Sequence, residues 1–340
     1  MPAKSATIEK KLKRLGLSQE AVRAAWPAWW SAEAEFSPSA VNDLKFSVAR
    51  KLGISPTSLF DEGDAVFSWD GDAKFKGLTA ESPMEEKALV AFGTSIGRLL
   101  IKATEPPSAS MDAGISGSEL REAIIRSGAP CVRLHDLIAL AWGIGIPIVH
   151  LRIFPLTAKK MSAMTIRSGN RHAILIGRDS MFPANIAYYI AHELGHIFGG
   201  HLSDNSAIVD IDMPDEMHER DDEELAADSF ALALLTGRED PEVKVTRSPR
   251  NSGELAYSVI NAGRAEAIDP GTLALCYAHR SGRWKFANNA MRLIYSEQKP
   301  VWKEINRYAS EQLTIANITH DSLSFLAKVM GLDSNAENAD

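Results

Sequence analysis

Hydrophobic residues recur along this chain mostly at helical spacing, giving way to two-residue alternation or short apolar runs in only a few places. Over residues 1–62 the apolar stripes are short. SPSAVNDLKFSVARKLG has Ser37 and Pro38 at its start and Gly53 at its end, which predicts a helix between them. AVFSWDGDAKFKG sets Asp70-Gly71 between two short alternating runs and predicts a β-hairpin. PMEEKALVAFGTSIGRLLIKA predicts a longer amphipathic helix. The Pro-, Ser- and Gly-rich stretch from Glu105 to Gly117 predicts a linker.

From Ser118 the pattern changes. SELREAIIRSG and VRLHDLIALAWG predict helices closed by glycine. IPIVHLRIF, AMTIR and HAILIGR predict strands, the last two joined by Ser168-Gly169-Asn170, in a small antiparallel sheet. PANIAYYIAHELGHIF puts apolar residues 187, 190, 191, 194, 197 and 198 on one helical stripe, and ELAADSFALALLTG predicts another strong helix. The polar stretch from Gly237 to Gly253 predicts a second boundary, beyond which the chain reads as helical. The expected fold class is α+β, mostly helical with one small sheet. Three regions are expected: a helical N-terminal region over 1–104, a core with the sheet over 105–240, and a helical region over 241–340.

Composition narrows the partners. The 340 residues are 45% hydrophobic and 24% charged with a formal net charge of −7, so the chain carries no global basic field for nucleic acid or membranes. Two distant cysteines, Cys131 and Cys276, argue against a disulfide scaffold or thiolate metal site. The basic N-terminus is followed by no apolar signal core, and no apolar run is long enough to span a bilayer. A soluble, cytoplasmic protein is expected.

The chemistry concentrates in HELGHIFGGH, residues 192–201. On an α-helix, residues i and i+4 lie about 40° apart, so His192 and His196 project side by side, with Glu193 about 100° round from His192. That arrangement suits a zinc peptidase: two imidazoles hold Zn²⁺, and the carboxylate takes a proton from an activated water. A polar helix face without metal is the competing reading. The apolar neighbours Ile190, Leu194, Ile197 and Phe198 count against it, because they imply a buried helix.

A catalytic zinc site takes three protein ligands and keeps one position open. His201 is one possible third ligand, although it stands one residue short of the spacing used by three-histidine zinc peptidases. A continued helix would turn it about 140° from His196, while Gly199-Gly200 could break that helix. The favoured alternative is Glu224. It shares a helix face with Asp228, which would orient a ligand histidine by hydrogen bonding its outer nitrogen. The small Ala226, Ala227 and Ala231 would let the two helices approach closely.

Taken together, His192-Glu193-Leu-Gly-His196 and Glu224-Leu-Ala-Ala227-Asp228-Ser-Phe230-Ala231 resemble the ImmA/IrrE family of zinc-dependent metallopeptidases over about residues 112–237. The resemblance implies a zincin-like core, His192, His196 and Glu224 as zinc ligands, and Glu193 as general base. It implies a protein substrate, commonly a helix-turn-helix repressor whose cleavage derepresses stress, phage-related or mobile-element genes. The substrate strand is expected to pair with an edge of the sheet at HAILIGR. A non-catalytic metal-containing regulator is the alternative function.

The flanks say less. ARKLGISPTSL, Ala49 to Leu59, has helix-turn-helix spacing, but the acidic residues after it disfavour phosphate contacts. The basic, aromatic HRSGRWKF at 279–286 is at most a weak signal for single-stranded nucleic acid. From Asp210 to Glu224 there are nine acidic residues and one arginine, which reads as a solvated loop or as an attractor for a basic substrate.

Overall fold

The computed structural model describes residues 4–69, 71–76, 82–107, 114–158, 161–211, 221–242 and 249–332. The middle of the expected linker, the middle of the second polar stretch, most of the acidic run and the last eight residues lie outside these. The protein is α+β, with a five-stranded sheet set among helices. The N-terminal region contains α1 (Lys4–Arg14), α2 (Gln19–Ala25), α3 (Pro38–Leu52), α4 (Pro56–Phe60), the strand β1 (Ala73–Lys76) and α5 (Pro83–Lys102). Then come α6 (Gly117–Arg126), α7 (Leu134–Gly143), β2 (Ile148–His150), β3 (Met161–Ser168), β4 (Arg171–Ile176), α8 (Pro183–Phe198), β5 (Ala207–Ile211) and α9 (Asp222–Thr236). The chain continues through α10 (Ser252–Glu266), α11 (Pro270–Ser281), α12 (Trp284–Ile294), α13 (Trp302–Gln312) and α14 (His320–Met330).

The sheet order is β1-β5-β3-β4-β2. It is mixed, where an antiparallel sheet was expected. β3 pairs antiparallel with β4 and with β5, while β1 runs parallel to β5 and β2 parallel to β4. HAILIGR is therefore an interior strand and offers no edge to a substrate; the edges are β1 and β2. The turn of the expected hairpin includes Asp70, which lies outside the described residues, and the runs on either side of it find other partners. The first run bridges back to the end of α3 through Phe67 and Ile54, and the second run becomes β1 and pairs with β5. Tertiary pairing outcompetes local pairing of the two runs. IPIVHLRIF contributes only three strand residues, because the Arg152 amide turns to the Val329 carbonyl of α14.

Helix α5 lies on one face of the sheet and α8 on the other. Strand alternation explains the division. Met164 and Ile166 of β3 point at α5, where Gly93 and Gly97 leave room for them, while Thr165 between them points at α8. Gly53 ends α3 in the left-handed region at φ 66°, and a side chain there would collide with the Ala91 carbonyl 2.3 Å away.

One buried apolar core runs from Ile8 to Met330 and takes residues from all three regions delimited by the sequence. A second, smaller core joins α10, α11 and α12. Two polar ties cross the larger core. Lys51, 1% exposed, donates to Asp321 Oδ1 at 2.7 Å and to the Ala25 carbonyl at 3.0 Å. Buried Asn306 of α13 accepts from the His150 amide and donates to the carbonyls of His150 and Met330. No helix among the described residues is long and apolar enough to cross a membrane.

The α8–α9 contact is the tightest helix pairing near the HELGH segment. A Cβ on Gly195 would sit 2.9 Å from Ala227 Cα and its carbonyl oxygen, and the Phe198 and Phe230 rings stack at 5.7 Å beside it. Gly195→Ala must push backbone against backbone. It is expected to cost about 1–3 kcal/mol in urea unfolding, whereas Gly63→Ala, with nothing within 4 Å, is expected to be near neutral.

Candidate metal centre

Helix α8 starts at Pro183, which pre-sets the first helical turn, and carries its apolar stripe onto the sheet. His192, Glu193 and His196 are drawn inside with it and are all buried. Helix α9 opens with Asp221 capping the Glu224 amide at 2.9 Å, so Glu224 lies in its first turn. The small residues at the α8–α9 crossing bring that turn over the histidines.

His192 Nε2 and His196 Nε2 lie 3.1 Å apart. Glu224 reaches both, with Oε2 at 3.5 Å from His192 Nε2 and Oε1 at 3.3 Å from His196 Nε2. Asp228, one turn later, accepts from His192 Nδ1 at 2.9 Å and from the Tyr188 hydroxyl at 2.5 Å. His201 stands outside the cluster and behind His196, with its Nδ1 2.8 Å from His196 Nδ1. Each cluster histidine thus has its outer nitrogen engaged, His192 by Asp228 and His196 by His201. The tautomers with hydrogen on Nδ1 leave both Nε2 lone pairs facing each other and the Glu224 carboxylate.

One further residue joins them. Asp210 of β5 places Oδ2 3.8 Å from His192 Nε2, and ligand atoms of His192, His196, Asp210 and Glu224 all fall within 4.8 Å of one another. Asp210 was not among the candidates read from the sequence. It stands first in an acidic run whose members cannot be told apart without strand register. Thr165, whose hydroxyl donates to Glu193 Oε2, and Tyr188 were also missed, and neither carries a motif.

The electrostatics favour a cation. Asp210 Oδ1 and Glu193 Oε1 are buried without a hydrogen-bond partner, a costly state unless a positive charge sits among them. Burial raises the Glu193 pKa well above the usual carboxylate range and the charge of Asp210 adds to that, against smaller opposing effects of His192 and Thr165. Burial pulls His192 down, but hydrogen bonds to Asp228 and Glu224 and the charge of Asp210 carry its pKa well above the ordinary value. Burial would raise Glu224, yet its contacts with His192 and His196 hold it below the ordinary range. Two imidazoles and two carboxylate ligands with converging lone pairs fit a divalent ion. The cluster could hold a metal ion.

Part of the acidic surface is neutralised within the chain. Lys74 Nζ meets Glu223 at 2.6 Å, and Lys76 Nζ meets Asp221 at 2.6 Å and Glu224 at 3.5 Å. Comparison of the chain with protein-family models, with curated proteins and with solved structures finds no match.

Removing a metal-facing carboxylate and removing an orienting partner should differ in size. By equilibrium dialysis against zinc followed by elemental analysis, Glu224→Ala is expected to lose stoichiometric metal. Asp228→Ala is expected to weaken binding by about 10–100-fold. His201→Ala should retain metal, since its ring touches the outer nitrogen of His196; loss of metal in His201→Ala with retention in Glu224→Ala would reverse the ligand assignment.

Proposed function

We propose that the protein is a zinc-dependent endopeptidase of regulatory type. The observation that carries this reading is the convergence of His192 Nε2, His196 Nε2 and Glu224 on one point with Glu193 buried beside it. A purely structural metal site has no use for Glu193, whose Oε1 is held inside without a partner. Bound zinc supplies Lewis-acid polarisation of a carbonyl and acidification of water. The remaining roles belong to the chain. Thr165 fixes one Glu193 oxygen and leaves Oε1 to take a proton. Glu193 beside a bound cation would ionise more readily and serve as the base. Asp228 and Tyr188 hold His192 in its ligand tautomer.

Resemblance to ImmA/IrrE peptidases in the two motifs supports a DNA-binding, helix-turn-helix repressor as the substrate and cytoplasmic action as the setting. A basic substrate would meet fewer free charges than the acidic run suggests, because Asp221 and Glu223 are already paired with Lys74 and Lys76. Of the two edges of the sheet, β1 is the one beside the cluster, so substrate pairing by strand addition is reassigned there from HAILIGR. Direct nucleic-acid binding draws little support. In the 279–286 segment Arg280 is paired with Asp240 at 2.5 Å and Arg283 stacks on Phe286 at 3.9 Å.

A second reading, a metal-containing regulator without catalysis, is favoured by the presence of a fourth side chain at the cluster, Asp210. Glu193→Gln separates the two. The peptidase reading expects unchanged zinc content and a loss of about 10²–10⁴-fold in cleavage of a repressor encoded nearby. Full cleavage by Glu193→Gln, or none by the wild type in any condition where zinc is bound, would sink it.

A further inference from the structure

A water-activating zinc site keeps one coordination position free of protein. Here Asp210 stands at the fourth corner. Metal–ligand bonds of about 2.0–2.2 Å in a tetrahedron place ligand atoms about 3.3–3.6 Å apart. The observed separations are 3.1 Å between the Nε2 atoms, 3.3 Å and 3.5 Å from them to Glu224, and 3.8 Å from His192 Nε2 to Asp210 Oδ2. His192, His196 and Glu224 have the spacing of one shell, whereas the set with Asp210 spreads to 4.8 Å, so Asp210 is its loosest corner.

The fold aims Asp210 at this point and holds its side chain lightly. The β3–β5 register shifts between Met161 and Ala163, and Ala163 is the residue opposite Asp210. Such bulges redirect side chains. One Asp210 oxygen faces His192, and the other is buried without a partner. The backbone of Asp210 is paired on both sides, with Lys76 of β1 and Ala163 of β3, so any departure is a movement of the side chain. The other three ligands are anchored. His192 and His196 lie within the sixteen-residue α8, and Glu224 sits in a capped helical turn with Lys76 beside it.

We propose that Asp210 is a displaceable fourth ligand, closing the metal shell in the resting protein and leaving it before water or a substrate carbonyl can enter. The ligand assignment rests on the cluster alone; its consequence, a latent peptidase, rests on the function proposed above. Departure of Asp210 would open the fourth position.

The test uses the full chain as wild type, Asp210→Asn and Asp210→Ala, loaded with Co²⁺ in place of zinc. The visible spectrum reports the ligand set, and acetohydroxamate, a small chelating anion, reports access to the fourth position. The asparagine variant keeps the size of the side chain and guards against misfolding in the alanine variant, with near-ultraviolet dichroism as the check. Both variants are expected to change the cobalt spectrum. Asp210→Ala should be half-saturated by acetohydroxamate at a tenfold or lower concentration than wild type, and its zinc affinity in chelator competition should fall tenfold or more. Identical spectra and titrations in all three proteins would overturn the proposal even if the wild type cleaves protein. A spectral and titration response without cleavage by any of the three would uphold the Asp210 ligand and sink the peptidase reading. Lost cleavage in a folded, metal-loaded Asp210→Ala would overturn displacement, because a gate is not needed for turnover once removed.

Discussion

The backbone contact between Gly195 and Ala227 is the constraint on which the centre depends. Gly195 lets α8 and α9 approach until a Cβ there would meet the Ala227 backbone at 2.9 Å. Gly195 lies one residue before His196, and Ala227 lies between Glu224 and Asp228. The same close approach therefore sets the distance from Glu224 to both imidazoles and from Asp228 to the outer nitrogen of His192. Stacked Phe198 and Phe230 fill the remainder of the interface with apolar surface, so the polar atoms of the centre are sealed on that side.

Sealing has an electrostatic cost. Glu193, Asp210 and Glu224 crowd around two imidazoles, and Glu193 and Asp210 each have an oxygen with no hydrogen-bond partner. A folded chain carries such a group of like charges only if the gain elsewhere offsets it, and binding of a cation is the direct way. The large core supplies the scaffold, with α5 and α8 on opposite faces of the sheet and Asn306 tying β2 to α13 and α14.

Much of this was legible in the sequence, and the limits follow from distance along the chain. The pairs His192–His196 and Glu224–Asp228 are separations of one helical turn, so periodicity alone puts each pair on a face, and small alanines signal a close crossing. Strand pairing carries no such local mark. Asp210 reaches the centre through its register with Ala163 and a bulge, neither of which leaves a trace in the acidic run that contains it. Asp70-Gly71 had the composition of a hairpin turn, yet Phe67 found Ile54 and the following run found β5. HAILIGR reads the same whether it is an edge or an interior strand. His201 looked like a ligand out of register by one residue; the turn after Phe198 brings its ring to the far side of His196 instead.

The Lys51–Asp321 tie has a consequence for how the protein is made. Lys51 is buried among apolar residues of the N-terminal helices, and burial depresses its pKa against the pull of Asp321. Its charge partner belongs to α14, which leaves the ribosome after every residue of the metal cluster. Until α14 arrives, the first helices hold an uncompensated cation and an incomplete core. The order of synthesis thus makes α14 the element that locks the first helices, and a nascent chain carries every residue of the cluster before it has the scaffold that positions them.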